Sequence, residues 1–241
     1  MPRKSRSKSS SIIPILILCA AVAIWVYDAY SQGKLSRFFD PIEAPAAPTT
    51  TGADKPAKES TSTSPQRIGR YDVYRSCTLA SDRGNDGDSF RVKLPNGKTE
   101  IIRLYFVDTP ESAFKTYGGG RNNHDRIAEQ AQDMGGINSQ EAVEIGKKGK
   151  AFTLEHLGKT PFTIYTEWDS PFNDQRYHAF VEISYNGKPR FLHELLIEKG
   201  YARIHTKGAP MPDGTSERKQ EDYLFDLQRT AKSNKAGAWA F

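Results

Sequence analysis

Arg103-Leu104-Tyr105-Phe106-Val107-Asp108-Thr109-Pro110-Glu111 is the stretch on which the rest of the chain turns. Residues 103–107 read as a strand, and alternation would put Arg103, Tyr105 and Val107 on one face. Proline cannot continue a ladder and sets a turn, so Asp108-Thr109-Pro110 ends the strand. Three oxygen-bearing side chains, Asp108, Thr109 and Glu111, therefore gather at one strand end, where the start of a neighbouring strand can bring Asp88 alongside.

Outward from this point the texture is that of a small β domain. Residues 71–79, 89–94 and 99–107 read as strands, with Pro95-Asn96-Gly97 as the turn between the last two. Two more lie at 161–168 and 177–185, the second running into Asn186-Gly187. Five short strands at this spacing suit a small closed barrel. Helices interleave, giving an α+β class with about three packed helices. Asn138 with Glu141 three residues on is a capping signal for a helix to about residue 157. Residues 191–199 look helical and stop at Gly200, which suits a left-handed position after the helix. Thr215 or Ser216 can cap a final helix whose Leu224, Leu227 and Ala231 share one face. Residues 112–138 form a long insert rich in Gly, Asn and Gln, with at most a short helix at 124–133.

Before the domain the composition changes twice. Arg3, Lys4, Arg6 and Lys8 precede an apolar run from Ile12 to Tyr27, closed by Trp25, Tyr27 and Tyr30. A basic flank, an apolar run and terminal aromatics fit a transmembrane helix over 12–30 whose basic tail, 1–11, stays in the cytoplasm. A cleaved signal peptide is the competing reading, without a small-x-small site close behind the run. Either one exports the domain, which is displayed outside the cytoplasm if the segment stays and secreted if it is cut. Residues 31–67, rich in Pro, Ala, Thr and Ser with few large apolar side chains, read as a disordered linker holding the domain on the order of 30 Å from the bilayer. The domain itself occupies 68–241.

Composition excludes less than it suggests. The 241 residues carry a formal charge of +5, but the four basic residues before position 9 account for all but +1 of it, so net charge alone argues no nucleic-acid partner. Cys19 lies in the apolar run and Cys77 in the domain, so the fold does not rest on a disulfide. Gly158-Lys159-Thr160 lacks the earlier glycine of a phosphate loop, since Thr153 stands there, and His193-Glu194 lacks the second histidine of a zinc helix, since Ile197 stands there. The five histidines show no ligand spacing, and no serine sits in a nucleophile elbow. Carboxylates and arginines are left to carry any chemistry.

Those residues form a coherent set: Asp86-Gly87-Asp88-Ser89 opening one strand, the 103–111 stretch, and Arg176 opening another. Clustered carboxylates are costly without a cation, and Asp88, Asp108 and a backbone carbonyl offer hard oxygen ligands that suit calcium. Guanidinium forks beside them match phosphate oxygens. A metal, two arginines and a spare carboxylate are what phosphodiester hydrolysis asks for. Singly, each piece is ordinary; Asp-Gly-Asp is commonly a turn, and Arg176 alone would be a solvated charge.

In this order and spacing the set resembles the staphylococcal nuclease family, over roughly residues 70–240. The resemblance implies an OB-fold barrel, calcium as cofactor, and cleavage of DNA and RNA to 3′-phosphate products. It implies Asp88, Asp108 and the Thr109 carbonyl as calcium ligands, Arg103 and Arg176 as phosphate-stabilising residues, and Glu111 as general base. Two departures stand out. Asn173 and Asp174 replace a lysine and a tyrosine before the second arginine, and Thr206 and Gly208 replace two tyrosines that pack on the nucleotide. Losing that stacking, worth ~1–3 kcal/mol per base, changes substrate binding rather than the chemistry. The insert after Glu111 is expected to line the site instead, through Tyr117, Arg121 and Arg126. No protein partner is inferred. A catalytically inactive nucleic-acid or protein-binding barrel is the alternative, and a phosphodiesterase of smaller substrates a third; the presence of both arginines and all three carboxylates favours the enzyme.

Overall fold

The computed structural model describes residues 65–171 and 173–241. The expected transmembrane segment at 12–30 and nearly all of the expected linker lie outside the described residues. Among the described residues no helix is long and apolar enough to cross a membrane.

Across the described residues run nine strands and four α-helices, in the order β1 Gln66–Ile68, β2 Tyr71–Leu79, β3 Ser89–Lys93, β4 Thr99–Leu104, β5 Val107–Asp108, α1 His124–Asp133, α2 Ser139–Lys159, β6 Phe162–Thr166, β7 Arg176–Tyr185, β8 Lys188–Phe191, α3 Leu192–Glu198, β9 Arg203–Ile204 and α4 Glu217–Ser233. Strands β2, β3, β4, β7 and β6 pair in that order, and β6 pairs back onto β2, closing a five-stranded barrel. All its contacts are antiparallel except β4 with β7, which run parallel with Arg103 opposite His178. β1 extends the sheet beside β2, so the last residues of the expected linker are paired.

The barrel closes on alternating apolar side chains. Tyr71, Phe90, Ile102, Leu104, Ile164, Phe180 and Val181 are all at most 1% exposed and belong to one cluster, which α3 covers with Leu192, Leu195 and Leu196. Local signals account for the helix ends. Asn138 accepts from the Glu141 N–H while the Glu141 carboxylate accepts from the Asn138 N–H, a reciprocal cap on α2. Ser216 caps α4, and Gly200 adopts φ +65° after α3. Beside the three expected helices, the short helix allowed at 124–133 in the insert forms as α1 and packs Ile127 and Ala131 against Ala142 and Val143 of α2.

One expected feature is corrected. The strand does not run unbroken through 99–107. Phe106 sits at φ +67°, a conformation bulky residues rarely adopt, and the chain kinks between β4 and β5. The Phe106 N–H donates to the Lys207 carbonyl and its own carbonyl accepts from the His205 N–H, so β9 and the residues after it hold the kink in place. Alternation ends there: Leu104, Tyr105, Phe106 and Val107 are all buried. The kink redirects Asp108 from the barrel wall into the short pair β5–β9, where it faces Arg203.

Two buried imidazoles make the fold pH-sensitive. His193 stacks beside Phe106 under α4, and burial pushes its pKa down to about 3. His178 is pushed down to about 4, first by burial and then by Arg103, against the pull of Asp169. The unfolded chain binds these protons near pH 6.5 and the folded chain does not. Their contribution is thus complete above that pH and is lost as pH falls toward 4. Denaturant midpoints measured between about pH 7.5 and 5 should fall, each ring contributing up to about 1.4 kcal/mol per pH unit. His193→Gln should flatten part of that slope, and a flat wild-type profile would contradict the assignment.

Candidate active site

Three elements bring the site together. The β3–β4 register sets Ser89 opposite Arg103, which carries Asp88 to the arginine. The Leu104 N–H donates to the Asp88 carbonyl at 2.9 Å, fixing the loop before β3 against the end of β4. That loop can come close because residue 87 is glycine: a Cβ there would lie 2.8 Å from Thr109 Oγ1. From the far side Thr153 of α2 donates to the Gly87 carbonyl at 2.7 Å. Gly146 of α2 serves the other half of the site, since a Cβ there would lie 2.4 Å from the Pro110 carbonyl oxygen and 2.5 Å from that of Glu111.

Asp108 is the centre. It is 1% exposed, and its two oxygens accept four N–H donors. Oδ1 takes Arg103 Nη2 at 2.7 Å and Arg126 Nη2 at 2.8 Å; Oδ2 takes Gln130 Nε2 at 2.8 Å and Arg203 Nε at 2.9 Å. Arg103 also reaches back to Asp88 Oδ1 at 3.4 Å and Ser89 Oγ at 3.2 Å, so its fork spans the two aspartates. Asp88 Oδ2 accepts the Thr109 N–H at 2.7 Å, and Ser89 donates to its Oδ1. The two carboxyls are driven apart. Burial raises Asp88, with Arg103 opposing and Asp108 adding to the rise. Burial would raise Asp108 too, but Arg126, Gln130, Arg103 and Arg203 reverse it and hold it below the usual carboxylate range. Asp86 is pushed up to about 6 by burial and by Asp88, and its Oδ1 accepts the Gly87 N–H at 2.9 Å.

Glu111 lies beside this centre. Its Oε1 pairs with Arg126 Nε at 3.1 Å, and its Oε2 has Asn123 Nδ2 at 3.4 Å and Lys115 Nζ at 3.6 Å. Its backbone N–H donates to Gln130 Oε1 at 3.0 Å. Arg176, at the start of β7, is ion-paired to Asp174.

Arg103, Asp108, Arg126, Arg176, His205, Thr206 and Lys207 line a cavity of about 300 Å³. Arg103 and Arg176 thus share one space with Arg126 and Lys207, four cations around a single carboxylate. Tyr117 and Arg121, expected to line the site, are exposed and are not among the residues lining this cavity; of the insert, Arg126 reaches it. Thr206 does line the cavity, and no tyrosine, tryptophan or phenylalanine is among its described lining residues. Gln130, Arg203, His205 and Lys207 belong to the site without any motif that marks them. The i, i+4 spacing of Arg126 and Gln130 on a short helix is the one available signal, because it sets both on one face.

The calcium set expected at Asp88, Asp108 and the Thr109 carbonyl can be tested against this arrangement. Hard oxygens suit the ion in kind. Their surroundings do not: every oxygen of Asp108 is engaged by donors, and Gln130 Nε2, bonded at 3.0 Å to the Thr109 carbonyl as well as to Asp108, stands between two of the three ligands. As arranged, the residues do not fit the ion. Among the described residues, the group of three His, Cys, Asp or Glu side chains with ligand atoms within 4.8 Å of one another is Glu129, Asp133 and His205. This exposed cluster has Arg203 Nη1 on both of its carboxylates, at 2.9 and 2.6 Å.

Comparison with known families matches residues 101–241, more than half of the chain, to the family model described as staphylococcal nuclease homologue. That family is generally calcium-dependent. The matched span omits Asp86 and Asp88, which the barrel closure brings to the site. The search of curated proteins finds no match.

Proposed function

The chain belongs to the staphylococcal nuclease homologue family, and we propose that it is a hydrolase of phosphodiester bonds in nucleic acid. The observation that carries this reading is the cavity in which Arg103, Arg126, Arg176 and Lys207 converge, with Glu111 outside its lining but paired to Arg126 at 3.1 Å. Arginine forks offer paired N–H donors in the geometry of phosphate oxygens and cannot lose their charge. Arg103 and Arg176 hold the diester and stabilise the charge that builds on its oxygens. Glu111 draws a proton from the attacking water, whose oxygen forms the new bond to phosphorus as the bond to the leaving oxygen breaks. One water is consumed, its proton ending on the leaving oxygen and its hydroxyl on phosphorus. The 3′-phosphate product comes from the family resemblance. The lining recognises phosphate, which DNA and RNA share, so both are proposed as substrates, with the domain displayed outside the cytoplasm through the N-terminal apolar run.

A digest of single-stranded DNA and RNA oligonucleotides by the full chain tests the reading. The wild type should cleave both, and Glu111→Gln should lower kcat on the order of 10²–10⁴-fold, the range of a lost general base, with a smaller change in KM. A folded wild-type protein that cleaves neither polymer would defeat the proposal.

A further inference from the structure

Arg126 and Gln130 lie one turn apart on α1, in the insert after Glu111, and both reach Asp108. The Gln130 side chain is fully buried, and its orientation is fixed by its partners. Its oxygen accepts the Glu111 N–H at 3.0 Å while its nitrogen donates to Asp108 Oδ2 and the Thr109 carbonyl at 2.8 and 3.0 Å. A flipped amide would set N–H against N–H at Glu111 and oxygen against two oxygens at the other end. The amide therefore presents hydrogen where a cation's ligands would converge.

Charge points the same way. A carboxylate has about four lone-pair sites, and the four donors on Asp108 fill that number, three of them from guanidinium groups. A divalent ion placed there would meet three fixed positive charges at hydrogen-bond range of its own ligand. Arg126 has a second role open to it, because its side chain is 46% exposed and lines the cavity.

We infer that α1 supplies from the chain itself what a divalent ion supplies elsewhere, so that the phosphate pocket works without calcium. Arg126 is a further phosphate-binding residue, and Gln130 is the positioning residue that closes the cation's place. The inference rests on the nuclease reading for its activity measurement and on calorimetry independently of it. Arginine replaces the ion's charge but cannot acidify a bound water, so proton removal stays with Glu111.

The experiment titrates calcium into the metal-stripped full chain by calorimetry and measures single-stranded DNA cleavage in chelator and in calcium. Up to about 1 mM, a range that covers weak extracellular calcium modules, no saturable heat is expected from the wild type. Cleavage should proceed equally in both buffers, where a reaction resting on the metal would lose on the order of a thousandfold in chelator. Arg126→Ala should weaken oligonucleotide binding in chelator on the order of tenfold. Gln130→Glu combined with Arg126→Ala, which sets a carboxylate beside Asp108 and the Thr109 carbonyl and removes one of the three guanidinium groups from Asp108, should gain saturable calcium binding. Wild-type calcium binding that tightens in Gln130→Ala would overturn the inference, because the ion would then be competing with the amide. Cleavage that stops in chelator would overturn it too, while leaving the nuclease reading intact. Absence of cleavage in both buffers would defeat the nuclease reading instead, and the calorimetry would still decide the metal question.

Discussion

An Asp108→Ala variant should melt on the order of 10 °C below the wild type. The reason is that Asp108 is the shared counter-charge of arginines that cannot leave. The side chains of Arg103 and Arg203 are 8% and 3% exposed, and both donate to Asp108. Breaking a buried pair from one side leaves an uncompensated charge and costs ~3–5 kcal/mol, a large share of the ~5–15 kcal/mol that holds a typical domain folded. The loss is limited because Arg103 keeps Asp88 at 3.4 Å and Arg203 keeps Glu129 and Asp133. The sign of the effect is diagnostic. Were Asp108 held open for an ion, its removal in chelator would relieve repulsion with Asp88 and raise Tm. Calorimetric melting of the two proteins in chelator decides between these, and a variant at least as stable as the wild type would count against the arginine-saturated centre.

The same centre shapes acid stability less than its charge suggests. Asp108, held below the usual carboxylate range, contributes stability that is present above its unfolded pKa and lost as pH falls through the folded one. Asp88, raised by burial, works in the opposite direction, its contribution present below its unfolded pKa and lost as pH rises. The two oppose each other, so the loss expected between about pH 6.5 and 4 comes from His178 and His193, offset in part by Asp86, whose carboxyl, pushed up to about 6, takes up its proton earlier in the folded chain than in the unfolded one.

How far the residues reveal the structure depends on the range of the interactions involved. The Asn186-Gly187 turn, with φ of +52° and +76°, the reciprocal cap at Asn138 and Glu141, and the stop at Gly200 are contacts within a few residues, and their side chains announce them. Five barrel strands can be placed because alternation is local. The kink at Phe106 cannot, since a phenylalanine gives no sign of a left-handed backbone; it is imposed by Lys207 and His205, about a hundred positions away. The closure of Asp108 is hidden for the same reason. Gln130 and Arg203 lie 22 and 95 residues from it in sequence, and a glutamine in a polar insert gives no hint that it is fully buried. The carboxylates and arginines of the motif are legible as types, while the partners that decide what those carboxylates can bind are not.

Replacing Arg103 should produce the largest loss of activity, and the choice of replacement separates chemistry from folding. Among the described residues Arg103 is the one guanidinium that spans both aspartates, with Nη1 toward Asp88 and Nη2 toward Asp108, while also lining the phosphate cavity. Its position is doubly fixed, by Ser89 across β3 and by His178 across β7. Alanine removes a charge from between two buried carboxylates and should cost both stability and rate. Lysine keeps the charge, so its Tm should stay near that of the wild type. A single ammonium cannot reach two carboxylates and a phosphate in one plane, and the fork that orients the diester is lost. For Arg103→Ala a fall in kcat on the order of a thousandfold or more is expected, the scale at which an arginine acts on a phosphoryl transition state. Arg103→Lys should recover stability without recovering most of that rate. Arg176, more exposed and tied to Asp174, offers the contrast: its replacement should act more on KM than on Tm. Parallel measurement of kcat and Tm for the lysine variant is the decisive comparison, because a lysine enzyme that cleaves at the wild-type rate would reduce Arg103 to a structural charge.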